Sequence, residues 1–574
     1  MPAVPLKAPL TDVTTSSFTL NWTAVNTPAG CPVAYTLKQG DDVVASNLSD
    51  PSYSVSGLDP GTIVNYTVTA ANSLGESKQA LSIPGSTAGP YMDVSPGTLP
   101  GRTASGVAPA GYTSTVLDDL YVPYNYQCLR DWYLNPTGND AKDGTTPETA
   151  WASLGQANSH VQPGDCVNLS PGVYQTVGNI GLTHGGNENT PTGYVVYRST
   201  VQGAAVIRQM TPQAKSGTDL SGWLPTDWGF LIQNNASFII FDGIELDGNN
   251  YNVVTNCIGD NSVSPPSHHQ VYLNNIVHDC GSAGIASGWG DYYFVVNNLV
   301  YRGSGPSYWN EGGGIDAYEM KDATRWSGSD PYGKYGPYNT GYVHNQADTD
   351  MPYHVVIAFN VVHDNLILPS LDTCPTAPKC GVAVDSSGPT DSHSDGNGIM
   401  FDNLEGTQSD NISFPFHSIA LGNLSYNNGG AGILVGTSDH VTVANNSVYN
   451  NFTDDEIKNT QRGDIDCLGK DSLFVNNAVY AVVGTGTYTK HNSAFLYFTS
   501  TNTVYNNNIG YPSVTGTIPG SNNLFGNTHD PLFTDAPNGD FTLQTGSPAL
   551  GSGLSDATTP WLTSATPNIG FVQP

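Results

Sequence analysis

Between residues 311 and 402 the chain gathers groups able to move protons: Glu311, Asp316, Asp395 and Asp402, with Lys321, Arg325 and His393 among them. Two carboxyls held about 6.5–9.5 Å apart can hydrolyse a glycosidic bond with inversion, one protonating the leaving oxygen while the other activates a water. Asp316 and Asp402 are the first pair for that task, with Asp395 and Glu311 as supporting or substitute members, and no cofactor is required. The same stretch admits elimination beside a uronate carboxylate. Lys321 and Arg325 would then be base and charge neutraliser, and Asp395 and Asp402 would hold a Ca²⁺ that offsets the substrate's charge. His393 can serve as acid or base in either scheme, or stand as an ordinary solvated loop residue.

Aromatic side chains crowd the same region. Tyr308, Trp309, Tyr318 and Trp326 open a Tyr-rich stretch that runs to Tyr353, and aromatic faces stack on the apolar faces of sugar rings. Farther along, the segment RGDIDCLG supplies Arg462 and Asp466, read as a substrate subsite or a structural feature.

What positions these residues is a repeat. Asn-x-Val-aromatic followed by Gly-Ile recurs as NNIVHDCGSAGI, GNLSYNNGGAGI and further copies, with 23 residues from His278 to Tyr301 and again from Tyr426 to Tyr449. Twenty-three residues make one coil of a β-solenoid, so residues that far apart stack about 4.8 Å above one another. Asn275, Asn298, Asn360, Asn423, Asn446 and Asn477 then form an amide ladder, and His278 and His363 join Tyr301, Tyr426, Tyr449 and Tyr480 as stacking residues rather than catalytic bases. Cys257 and Cys280 lie one coil apart, placed for a stacked pair or a disulfide, with buried free thiols the plain alternative. Cys374 and Cys380 can clip one loop.

The repeat breaks where the carboxylates are. Tyr301 to His363 spans 62 residues and His363 to Tyr426 spans 63, so two neighbouring coils carry excursions of 39 and 40 residues. Ile285, Ile315, Ile399, Ile433 and Ile465 point inward, which turns Ala286, Asp316, Met400, Leu434 and Asp466 outward, and two positions on Gly288, Tyr318, Asp402, Gly436 and Leu468. Asp316 and Asp402 become diagonal neighbours on adjacent strands, about 7–8 Å apart along the backbone. Asp466 lies three coils from Asp316, about 14 Å away.

The segment WYLNPTGNDAKDGTTPETAWASLGQANSHVQPGDCVNLSPGVY resembles the N-terminal cap and first coil of the pectate-lyase-like, right-handed parallel β-helix superfamily, a short helix from Ala150 to His160 plugging the open end. DPLFTDAPNGDFTLQTGSPALGSG is similar to the closing segment of such helices. The resemblance implies an all-β fold, a single-stranded parallel β-helix over 128–574, and carbohydrate chemistry. It leaves the reaction open, because that superfamily holds lyases, hydrolases, esterases and epimerases. SDGNGIMFDN is similar to the Asp-Gly segment of its calcium-dependent pectate lyases, but the next coil, NNGGAGILVGT, carries no companion acid, and the polygalacturonase motif set is also absent. Residues 1–88 resemble a fibronectin type III domain on Trp22, Tyr35, and Leu58 followed by Tyr66 in the tyrosine-corner spacing; a linker over 89–127 joins the two.

Composition narrows the partners. With 49 acidic against 18 basic residues the net charge is −31, which argues against nucleic acid as a ligand. No apolar run approaches the roughly 20 residues of a membrane span, and the low-Lys, Asn/Thr/Gly-rich composition reads as a mature extracellular protein, monomeric, acting on a polysaccharide. A non-catalytic adhesin is the other class, and it predicts even coils without a carboxylate cluster.

Overall fold

The computed structural model describes most of residues 7–86 apart from short loops. Beyond them it describes 108–210, 230–249, 256–260, 267–304, 312–324, 346–367, 384–385, 388–389, 395–408, 411–454, 463–482, 493–497 and 501–574. The chain separates into two compact units, Met1–Leu99 and Pro100–Pro574. Glu311, His393, Arg325, Tyr308, Trp309, Trp326, Arg462, Cys374 and Cys380 lie outside the described residues.

The smaller unit is a β-sandwich of a three-stranded and a five-stranded sheet. Alternation along Ser17–Trp22 and Ala34–Gln39 sends Phe18, Leu20, Trp22, Tyr35 and Leu37 inward, where they meet Val55, Tyr66, Val68 and Ala70. Trp22 and Tyr35 meet edge to face at 5.4 Å, so the residues that signal the fold in the sequence are those that close its core.

The larger unit is a parallel β-helix. Its strands form three long parallel sheets of twelve, eleven and ten strands among the described residues, and successive members of each sheet come from successive coils. The winding is right-handed, as crossovers between parallel strands almost always are. Sequence spacing becomes register directly: His278 pairs with Tyr301, and Tyr426 with Tyr449. One core runs the length of the coil stack, with Ile285, Ile315, Ile399, Ile433 and Ile465 in a single inward row. At the N-terminal end Leu154–Asn158 forms the capping helix, Ser153 accepting from the Gln156 amide, and Leu154, Ala157 and Val161 close the core.

The asparagine column is the ladder its period implies. Asn275, Asn298, Asn360, Asn423, Asn446 and Asn477 are buried; each Oδ1 accepts from the residue one coil below and each Nδ2 donates to a backbone carbonyl. The ladder continues through Asn508 to Asn523. At the end of the short strand that follows each of these asparagines, His278, Tyr301, His363 and Tyr426 stack at 4.9–5.3 Å, which places both histidines in the aromatic column. Cys257–Cys280 is a disulfide between adjacent coils; Cys128–Cys166 is a second, and Cys467 is a buried free thiol.

Residues 108–127 also belong to this unit. Tyr112 bridges to Leu562 and meets Phe359 edge to face at 5.0 Å, and Tyr126 donates to Asp242 at 2.7 Å. The C-terminal segment runs alongside, Trp561 donating to Asn445 at 3.0 Å and the Gly570 amide to the Asn476 carbonyl.

Candidate active site on the ten-stranded sheet

The ten-stranded sheet includes the strands Gly313–Tyr318, Asn397–Asp402 and Ile433–Gly436. Register pairs Asp316 with Met400 and Tyr318 with Asp402, so the two aspartates are diagonal neighbours on adjacent strands. A strand separation of about 4.8 Å and a two-residue rise of about 6.6 Å put their backbones roughly 8 Å apart.

Their surroundings differ. Asp402 is half-buried, beside half-buried Tyr318, in the row Gly288–Tyr318–Asp402–Gly436. A Cβ added at Gly436 would lie 2.8 Å from Asp402 Oδ1, so glycine there leaves the carboxylate its space, and nothing stands within 4 Å of a Cβ at Gly288. Asp316 departs from the expectation of an exposed carboxylate, being only 6% exposed. It does alternate outward, between core residues Ile315 and Ala317, but its Oδ1 folds back over Gly313, where a Cβ would lie 2.7 Å away. The rest of that outward row is covered as well: Phe452 packs with Met400, Leu434 and Ala431, forming an apolar layer outside the sheet. An outward residue is exposed only where nothing folds back over the coil, and here the connecting turns do.

Other candidates separate from the pair. Asp395 is half-buried just ahead of Asn397–Asp402, accepting from Asn397 Nδ2 at 3.1 Å. The Gly396 amide donates to the Gly312 carbonyl, so Asp395 enters its strand one coil beyond Gly312. Lys321 is 2% exposed, its Nζ donating to the Ile412 carbonyl at 3.3 Å, a placement that does not present it to a substrate. Asp466 is 1% exposed and accepts from the Gly463 amide, which favours its structural reading over a sugar contact.

Three buried acids stand apart from the candidate pair. Asp260, accepting from Ser267, Ser287 and the Gly288 amide, is pushed up to about 7 by burial, which the hydrogen bonds only partly offset. Asp464 is likewise raised by burial to about 7, and its Oδ2 ends a second ladder formed by Asn365, Asn428 and Asn451. Glu319, fully buried, accepts from Trp289 Nε1 and Asn403 Nδ2. Asp260 and Glu319 lie off the columns the repeat aligns, whereas Asp464 takes the glycine position of the Gly-Ile pair, one residue before Ile465.

Glu245, Asp247 and His278 cluster tightly enough to hold a metal ion. Burial alone would lower the His278 pKa, but Asp247, Asp279 and Glu245 outweigh it and raise it to about 10. The imidazolium, with Arg208 on Asp247 and Arg302 on Asp279, balances the three carboxylates. In Cys128, Asp131 and Cys166 the sulfurs are joined to each other.

No known family model matches the chain, and no curated protein is similar to it in sequence. Among solved structures, pectate lyase Pel9A is 16% identical over 78% of this chain and 97% of its own, with a TM-score of 0.42. The A-module of Azotobacter vinelandii mannuronan C-5 epimerase AlgE4 is 13% identical over 62% and 80%, at 0.32. XylC bound to xylose is 11% identical over 70% and 87%, at 0.34. A human fibronectin type III domain is 23% identical over 15% of this chain and 87% of its own, at 0.14. The likeness is one of fold. At these identities and TM-scores it says nothing of the reaction, and the architecture rests on the strand register. No helix among the described residues is long and apolar enough to cross a membrane.

Proposed function

We propose that the protein is a secreted enzyme that cleaves glycosidic bonds of an extracellular polysaccharide by hydrolysis, using Asp316 and Asp402. The observation that carries this reading is the diagonal register, which sets two aspartates on adjacent strands with their backbones about 8 Å apart, a spacing from which two side chains can bring their carboxyls to the separation an inverting hydrolase uses. Differential burial supports a division of labour. Asp316, nearly enclosed, is suited to hold and deliver the proton, and Asp402, open toward Tyr318 and Gly288, to activate water. Tyr318, the register partner of Asp402, offers an aromatic face beside the bond to be cut. Asp395 and Glu311 remain supporting acids, with His393, Arg325, Tyr308, Trp309 and Trp326 as the residues of the excursions to test and Arg462 on a later coil. Two disulfides suit an oxidising, extracellular setting.

The test is product analysis on a panel of neutral and uronate polysaccharides with and without chelator. Hydrolysis in ¹⁸O-water labels the new reducing end, leaves saturated products and persists in chelator. An unsaturated, ultraviolet-absorbing product that requires added Ca²⁺ would instead establish elimination and overturn the carboxylate-pair reading.

A further inference from the structure

Each strand of the candidate site ends in a residue with a left-handed backbone: Trp289 at φ 69°, Glu319 at 46°, Asn403 at 54° and Thr437 at 42°. These residues stack coil on coil, the Trp289, Glu319 and Asn403 amides donating to the carbonyls of Tyr318, Asp402 and Gly436. Asparagine adopts that conformation readily; glutamate does so at a cost and persists only where its surroundings hold it. Glu319 is held on both sides, its fully buried carboxylate accepting from Trp289 on the coil below and Asn403 on the coil above. Tyr318 and Asp402, each next in the chain to a member of this chain of hydrogen bonds, are the register pair lining the open row.

We infer that Glu319 is the positioning residue of the site, a clamp across three coils that fixes Asp402 against Tyr318 and places a fixed negative charge behind them. The carboxylate does this where an amide would not: both oxygens accept, whereas a glutamine would turn one N–H₂ toward a donor. This inference rests on the assignment of Asp402 as the water-activating base.

The experiment is the kcat–pH profile of Glu319→Gln beside Asp402→Asn and Glu319→Asp, with melting temperatures for all three. Glu319→Gln should lower kcat on the order of tenfold at unchanged KM, because the base is misplaced while substrate contacts survive. It should also move the acid limb to lower pH by about half a unit or more, since a nearby negative charge is lost. Glu319→Asp, which keeps the charge but is one methylene too short to reach Trp289 and Asn403 together, should hold the limb where it is in the unsubstituted protein and lower kcat; if Glu319→Gln melts below the assay temperature, an unchanged kcat in Glu319→Asp overturns the clamp. Loss of activity in Asp402→Asn with an unmoved limb and unchanged kcat in a folded Glu319→Gln overturns the clamp and leaves the base assignment standing. Full activity in Asp402→Asn overturns the base assignment itself.

Discussion

The two aspartates carry unequal structural duties, and their variants separate chemistry from folding. Asp316→Asn and Asp402→Asn should each lower kcat on the order of 10²–10⁴-fold, the size of a general acid or base contribution. Asp402→Asn should leave the melting temperature nearly unchanged because the side chain is half exposed, while nearly enclosed Asp316 allows a measurable shift. Full activity in both variants would move the site to other coils. Asp464 makes a prediction of another kind. Its folded pKa of about 7 lies above the ordinary carboxylate value, so the neutral acid is the form the fold accommodates. The sign follows: this contribution is present below pH about 4 and is lost as pH rises through about 7. Asp464→Asn should therefore stabilise the protein at pH 8 more than at pH 5, by supplying a neutral ladder member to Asn451, and thermal melts at the two pH values read the difference.

At the scale of the element, the strands are short and their turns are held by side chains. Asn360 makes four ladder bonds: its Oδ1 accepts from the Asn298 amide and Nδ2, and its own Nδ2 reaches the Val295 carbonyl and Asn423. Asn360→Ala leaves the Asn298 amide without its acceptor and takes one bond each from Asn298 Nδ2, the Val295 carbonyl and Asn423 Oδ1, and should cost about 3 kcal/mol, given 1–3 kcal/mol for a buried group left unpaired and about 1 kcal/mol for a further bond lost. Asn523→Ala, at the half-buried end of the same ladder, should cost about 1 kcal/mol, since water replaces what is lost. Equal denaturant midpoints for the two variants would show that ladder position does not matter. The first ladder is legible in the sequence because Asn275, Asn298, Asn360, Asn423, Asn446 and Asn477 each open a copy of the repeated motif. The second is not: its asparagines lie beyond that motif, and its last step runs from Asn451 only 13 residues to an aspartate, Asp464.

At the scale of the molecule, the larger unit begins well before its first coil. Val116, Leu117, Leu120 and Val122 are buried, as is Tyr112 against Phe359. A chain starting at residue 100 should keep the β-helix and its activity, because Met1–Leu99 is a separate unit. One starting at residue 129 loses these contacts and the Cys128–Cys166 disulfide, and should lose about 5 kcal/mol or more, at 1.5–3 kcal/mol for each large buried apolar side chain. Melting temperatures and activity of the two truncations check both halves; identical behaviour would show that residues 100–128 contribute nothing.

The sequence by itself determined the β-helix, its register and the diagonal relation of Asp316 and Asp402, because a coil of fixed length turns spacing along the chain into position in space. The sandwich was equally legible, since Trp22, Tyr35 and Tyr66 both mark it and pack it. Only the tertiary structure decided which outward residues meet solvent. Alternation sets the direction of a side chain, but Phe452 closing over Met400 and Leu434, Asp316 folding onto Gly313, and Lys321 turning to the Ile412 carbonyl depend on where connections between strands come to rest. Those contacts obey no period, and Glu319, whose partners lie 30 residues before it and 84 after it, becomes visible only once three coils are stacked.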